Sequence, residues 1–245
     1  MVDIVALRAA NARRWAAAKV TRNFTAIAHD LVAAKPRYQA VEAKTGVPWF
    51  VIAVIHERES SQNWGRSLAQ GDPWNQVSTH IPAGRGPFKS WEAAAIDALV
   101  NCGPYLARKK WRDAGEVLTN LELYNGSGYA NKGKPSPYVW AGTSQYVSGK
   151  YIADGVYDPS HVDTQPGCAG MILAMMAIDP SIKLGGAPMS TAAKTGSAGA
   201  VVASTAGTIA ATASAGWSWM EIGLSAFIAA GAVAAVALLV RKFRN

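Results

Sequence analysis

GVPWFVIAVIHERES, residues 46–60, is the stretch on which the reading of the fold turns. Gly46 follows Thr45 as a stop signal for a preceding helix, since glycine is favoured just past a helix end. Pro48 suits the first turn of the next helix, where its missing N–H is not needed. From Val47 to Ile55 the side chains are all apolar apart from that proline, so the spacing predicts a helix buried on most of its sides. Polarity then breaks into His56, Glu57, Arg58, Glu59 and Ser60. At 3.6 residues per turn Glu59 falls below Ile55 and Ile52, four and seven positions back. A carboxyl delivered on the end of a core helix among apolar neighbours holds its proton to higher pH, as a general acid must. On spacing alone, Glu57 and Glu59 could equally solubilise a helix end or pair with Arg58.

Outward from this helix, the pattern is helical on both sides. Residues 4–19 read as an alanine-rich amphipathic helix with Ile4, Leu7, Ala10 or Asn11, and Trp15 on one side. Residues 25–44 continue helical with a break at Pro36. Residues 62–88 form a long segment rich in Gly and Pro, a length of loop that is usually functional. Asp72 is its only acidic residue, and it could simply start a turn before Pro73. Ser78, Thr79, His80 and Arg85 add hydrogen-bonding groups there. Ser90 caps a helix over 90–100, and further helices are expected over 105–112, 114–124 and 167–178. Residues 132–158 are polar, aromatic and turn-rich, and are expected to wall the far side of a cleft.

Composition limits the partners. The chain of 245 residues carries a net charge of +8 with nine Trp and eight Tyr, enough aromatic material for a core and a sugar-binding surface. Such a charge suits an anionic polymer or membrane surface. No zinc spacing, RNP-like block or purely basic helix points to nucleic acid. Four scattered histidines and two cysteines, Cys102 and Cys168, give no metal-ligand cluster, so no metal and no cofactor are expected. The two thiols could bridge in an oxidising compartment or lie buried and free.

The C-terminal quarter differs. Residues 186–216 are nearly all Ala, Gly, Ser, Thr and Val, and read as a flexible tether. The run from Ile222 to Val240 has no charge and is followed by Arg241, Lys242 and Arg244. As a helix it would rise about 28 Å, near the ~30 Å hydrocarbon core of a bilayer. Trp217 and Trp219 would mark the interface, and small residues at Ala226, Ala230 and Ala234 would permit helix–helix self-association. Arg8, Arg13, Arg14 and Lys19 interrupt the first 20 residues, so no secretory signal is expected there.

VIAVIHERES, residues 51–60, resembles the catalytic helix of goose-type lysozymes and lytic transglycosylases, an apolar run ending in R-E-S or E-S. Laid on that pattern, the catalytic glutamate is Glu59 rather than Glu57. GDPWNQVSTHIPAGRGPF (71–88), LYNGSGY (123–129), SPYVW (136–140) and KYIADGVYD (150–158) resemble, in the same order, a bacterial and phage family of lysozyme-like proteins. The resemblance as a whole covers about residues 23–180. The resemblance implies a mainly α, lysozyme-like globular domain over 1–185; with the composition of the C-terminal quarter, the expected order is that domain, the 186–216 linker and one C-terminal transmembrane helix with a basic tail over 217–245. The resemblance also implies cleavage of the β-1,4 bond between N-acetylmuramic acid and N-acetylglucosamine in peptidoglycan. Glu59 would protonate the glycosidic oxygen and Asp72, thirteen positions on, would be the second acidic residue. Ser78, Thr79, Arg85, Tyr124, Asn125, Tyr129 and Tyr138 would bind substrate. A phage endolysin held in the host inner membrane and acting on periplasmic peptidoglycan is the context this implies. The alternatives are a lytic transglycosylase, in which the substrate's own 6-hydroxyl attacks, and a membrane-anchored wall-binding protein without activity.

Overall fold

A computed structural model describes residues 2–184 other than 70 and 81. They lie in the first of two compact units of the chain, Met1–Pro188; the second, Met189–Asn245, falls outside the described residues. The described part is mainly helical: α1 (Ile4–Ala17), α2 (Thr25–Ala33), α3 (Lys35–Thr45), α4 (Trp49–Ser60), α5 (Trp91–Asn101), α6 (Ala114–Asn125), two single turns α7 (Gly128–Asn131) and α8 (Pro137–Trp140), and α9 (Cys168–Ile178). One hairpin, β1 (Lys150–Ala153) with β2 (Val156–Asp158), is antiparallel, pairing Lys150 with Asp158 and Tyr151 with Tyr157.

α4 is the central rod. Trp49 through His56, and Arg58, are all buried, and Val51–Ile55 expose nothing. Helices α2, α3, α6 and α9 pack around it. Burying each such aliphatic side chain is worth about 1.5–3 kcal/mol, so the register of this helix is fixed by its apolar half rather than by its polar end. Gly46 in the left-handed conformation (φ 70°) closes α3, and Pro48 caps α4. Pro36 stands in the first turn of α3, so the break expected there is the boundary between α2 and α3.

α1 lies along α6. Of the two residues that the spacing left open, Asn11 is the buried one. Its amide donates to Thr119 Oγ1 (3.2 Å) and Glu122 Oε2 (3.1 Å), which ties the two helices together through polar groups. Ile4 is 47% exposed and lies outside that face.

Two expectations are corrected. The helix expected over 105–112 is a single 3-10 turn, Leu106–Arg108, bounded before by Tyr105 in the left-handed region (φ 60°) and after by Lys109 in extended backbone (φ −90°, ψ 163°), neither of which a right-handed helix accommodates. The transmembrane helix in the expected fold class is also overturned: no helix among the described residues is long and apolar enough to cross a membrane. The longest, α1, has 14 residues, a rise of about 21 Å against a hydrocarbon core of about 30 Å. The run from Ile222 to Val240, with the self-association and inner-membrane placement built on it, lies outside the described residues, as does the 186–216 tether.

Candidate active site

Glu59 is half-buried on the last turn of α4, where the apolar rod meets the loops. The phenol of Tyr138, on α8, donates a hydrogen bond to Glu59 Oε1 at 2.9 Å. Tyr138 is itself buried, and the Arg58 guanidinium lies 4.8 Å from the centre of its ring. Loss of water pushes the Glu59 carboxyl up to about 7, against the smaller opposing effects of the Tyr138 hydrogen bond and the Arg58 charge. Glu57 is also raised by desolvation, but Arg58 opposes it first, and among the described residues no side chain of another element is seen to donate to it. Of the two carboxyls on this helix end, Glu59 is therefore the one built into a protein environment.

The exit from α4 fixes where that carboxyl points. Ser61 (φ 50°) and Gln62 (φ 58°) both take the left-handed region, an arrangement costing about 1–2 kcal/mol per residue for side chains of this kind. Side chains hold it in place. Ring nitrogen Nε2 of buried His56 lies 3.1 Å from the Asn63 carbonyl, and Nδ1 lies 3.0 Å from the Tyr38 hydroxyl. A carbonyl only accepts, so Nε2 carries the proton and Nδ1 accepts from Tyr38. The amide of Gln62 donates back to the same Tyr38 oxygen at 3.1 Å. Burial drives the His56 ring down to about 4, so it stays neutral in this role. Trp64 and Trp91, each with its ring centre 4.6 Å from that of His56, complete the bracket.

The loop after α4 folds back against it. A Cβ placed on Gly71 would lie 3.6 Å from the Glu59 carbonyl. Next to it, Asp72 is buried and accepts from the backbone N–H of Thr79 (2.9 Å) and of His80 (3.1 Å) through Oδ2; its Oδ1 lies 2.6 Å from His80 Nδ1. Burial opposes its ionisation, but the His80 and Thr79 hydrogen bonds outweigh that and hold the carboxyl below the usual range. Asp72 thus stays an anion that ties residues 79 and 80 to residue 72.

The remaining sequence-derived candidates divide by location. Tyr124, at the end of α6, donates to the Leu68 carbonyl at 2.9 Å, and burial together with the nearby Glu59 charge pushes its phenol well above its ordinary value. Tyr124 and Tyr138 are therefore the two aromatic residues the fold brings to Glu59. Asn125 follows on α6 and is exposed. Ser78 is buried, donates to the Pro82 carbonyl (3.0 Å) and accepts from Arg85 N–H (2.9 Å). The Arg85 guanidinium is paired two-pronged with Asp97 of α5. Tyr129 accepts from the Tyr151 N–H at 3.0 Å and packs edge-on against the Tyr151 and Tyr157 rings, which makes it an anchor for the hairpin.

Residue patterns gave no sign of the cluster around Asp163. Arg58 donates to Asp163 Oδ2 and to the Pro166 carbonyl, both at 3.2 Å, while Lys150 Nζ donates to Asp163 Oδ1 at 3.0 Å. Asp163 stands 105 positions from Arg58, a separation that leaves no local signal. Cys102 and Cys168 are both buried and free. Cys168 lies near Arg58 and Glu59, and burial lifts its thiol to about 12.

Chemically, the arrangement offers one carboxyl that carries a proton near neutral pH, oriented by a phenol, beside aromatic rings of the kind that pack on sugars. Comparison of the chain with protein-family models, curated proteins and solved structures finds no match.

Proposed function

We propose that the domain is a glycosidase that degrades peptidoglycan, cleaving the β-1,4 bond from N-acetylmuramic acid to N-acetylglucosamine. The observation that carries this reading is Glu59, a half-buried carboxyl held by the Tyr138 hydroxyl and poised to give up its proton at about pH 7. The motif order described for 51–60, 71–88, 123–129, 136–140 and 150–158 supplies the substrate class. Glu59 donates its proton to the glycosidic oxygen as the C1–O bond breaks, so the leaving sugar departs as an alcohol. Water then adds to C1 in the lysozyme reading.

The second reading is a lytic transglycosylase, and a specific observation favours it. All the hydrogen bonds described for the Asp72 carboxylate are made to its own loop. A reaction in which the substrate's 6-hydroxyl closes on C1 needs only the one carboxyl. Digestion of purified peptidoglycan followed by mass spectrometry of the products decides the matter: a reducing end indicates the hydrolase and a 1,6-anhydro end the transglycosylase. Intact glycan strands after exhaustive incubation would remove both.

Asp72→Asn provides a separate measurement. If Asp72 positions the attacking water, the amide should lower turnover ~100-fold or more, the lower end of what an acid–base group contributes. If its work is to tie the loop, the loss should stay within a few-fold while thermal stability drops, because an amide cannot accept the three donors that the carboxylate accepts. The loop contacts favour the second outcome.

A further inference from the structure

We infer that Arg58 is a positioning residue for the acid: its guanidinium, locked from behind by Asp163 and the Pro166 carbonyl, backs the ring of Tyr138 and so keeps the phenol's O–H on Glu59. The inference rests on Glu59 being the functional acid, as proposed above.

Three observations converge on it. First, the side chains of Arg58 and Asp163 are 1% and 0% exposed, so the pair is sealed in the interior. Sealing two charges away from water is costly, and replacing such a pair with apolar side chains often leaves a fold no less stable. A role beyond stability is therefore worth seeking. Secondly, the pair has a third member. Lys150, with its side chain 10% exposed, also donates to Asp163, so one buried carboxylate is shared between two cations. Thirdly, the geometry directs Arg58 at the site, with its plane of charge 4.8 Å from the centre of the ring whose hydroxyl meets Glu59 at 2.9 Å. A guanidinium against an aromatic face is attractive and holds the ring in place. In this way α4 carries both the acid and the residue that braces the acid's partner on α8.

Several charged or titratable groups face the acid. Tyr138 comes from α8, Tyr124 from α6, Cys168 from α9, and Arg58 from α4 itself. Arg22, before α2, lies close enough to Arg58 and Asp163 to feel both. Tyr124, Tyr138 and Cys168 are all held in their neutral forms by burial, which leaves Arg58 as the charged group that acts on the acid.

The test is the titration midpoint of Glu59 itself, read by carbon-13 NMR of its carboxyl in the full chain. Arg58→Met fills a similar volume and leaves Asp163 paired with Lys150. It is expected to raise the midpoint by about one pH unit, the low end of what a neighbouring opposite charge does to a carboxyl. The alkaline limb of turnover should move with it. Arg58→Lys keeps the charge but cannot hold Asp163, the Pro166 carbonyl and the Tyr138 face together, so part of the rise is expected to remain; a full return to the midpoint of the unaltered protein would reduce Arg58 to its charge and overturn the positioning role. A side chain serving only to fill space would lower stability and leave the midpoint where it was, and that result overturns the inference. Lys150→Met is a control, since it removes the second donor to Asp163 only. That substitution leaves the Arg58 contacts in place and is expected to leave the midpoint unmoved. Should Arg58→Met fail to fold, Arg58→Gln serves as the second variant: its amide can still donate to Asp163 but carries no charge to hold the Tyr138 ring, the midpoint is again expected to rise, and no movement overturns the inference. The midpoint is read without substrate. A shifted midpoint in a protein that leaves peptidoglycan intact would therefore sink the glycosidase reading alone.

Discussion

Glu59→Gln is expected to lower peptidoglycan cleavage by ~10²–10⁴-fold, the range contributed by a positioned general acid, while the helical fold stays intact. Glutamine keeps the shape and can still accept from the Tyr138 hydroxyl at the Oε1 position, but it has no proton to give. Glu57→Gln, on the same helix end but without such a partner from another element, should retain most activity. Equal losses in the two variants would remove the assignment to Glu59. The pH dependence has a definite sign. Desolvation raises the Glu59 carboxyl from 4.5 to about 7, so the acid form needed for protonation is lost as pH rises through about 7, and turnover should fall on that side.

The same shift acts on stability. Between the unfolded value near 4.5 and the folded value near 7, the folded state binds the proton that the unfolded state has released. The protein's stability therefore falls as pH rises through this window. A glutamine does not ionise. The variant should melt at a temperature closer to that of the parent at pH 4 and higher than the parent at pH 8. A catalytic group whose removal stabilises the fold at alkaline pH is what a carboxyl kept from water for chemical reasons should produce. Parallel melting curves at both pH values would show that Glu59 does not carry this burden.

The second large effect is expected at Gly167, just before α9. A Cβ there would meet the Ala141 nitrogen and oxygen at 2.5 Å and the Val139 oxygen at 2.8 Å, all backbone atoms. Its φ is −77°, an ordinary value, so the demand for glycine is made by space alone. Backbone this close cannot swing aside as a flexible side chain can. Gly167→Ala should cost about 3 kcal/mol, the upper part of the usual overpacking range, read from chemical denaturation. The damage should extend to chemistry, since residues 139–141 continue from Tyr138 and residue 166 supplies the carbonyl that Arg58 grips. A Gly133→Ala substitution makes a useful contrast: a Cβ at Gly133 meets nothing within 4 Å, and only its positive φ of 63° would be strained. A fully stable Gly167→Ala protein would mean that α9 can slide away from residues 139–141.

Much of this was legible in the chain itself, because it depends on neighbours in sequence. The apolar run ending in His56-Glu57-Arg58-Glu59 determines a buried helix with a polar end, since a 3.6-residue period places those side chains whatever surrounds them. The break at Pro36, the stop at Gly46 and the cap at Ser90 are local for the same reason: each acts on dihedrals or N–H groups within one turn. The preference for Glu59 over Glu57, by contrast, came from motif resemblance and acquired a physical basis only in three dimensions. Its partner Tyr138 is 79 residues away, and no spacing rule reaches that far. The hairpin at 150–158 was hidden in a stretch that reads only as polar and aromatic, because its strands of four and three residues are too short to show an alternation. Asp72 and Arg85 looked like free cleft groups in the sequence, yet folding gives one to the backbone of its own loop and the other to Asp97. Whether a charged side chain is available for chemistry or committed to structure depends on which distant groups arrive beside it. Only the tertiary structure decides that.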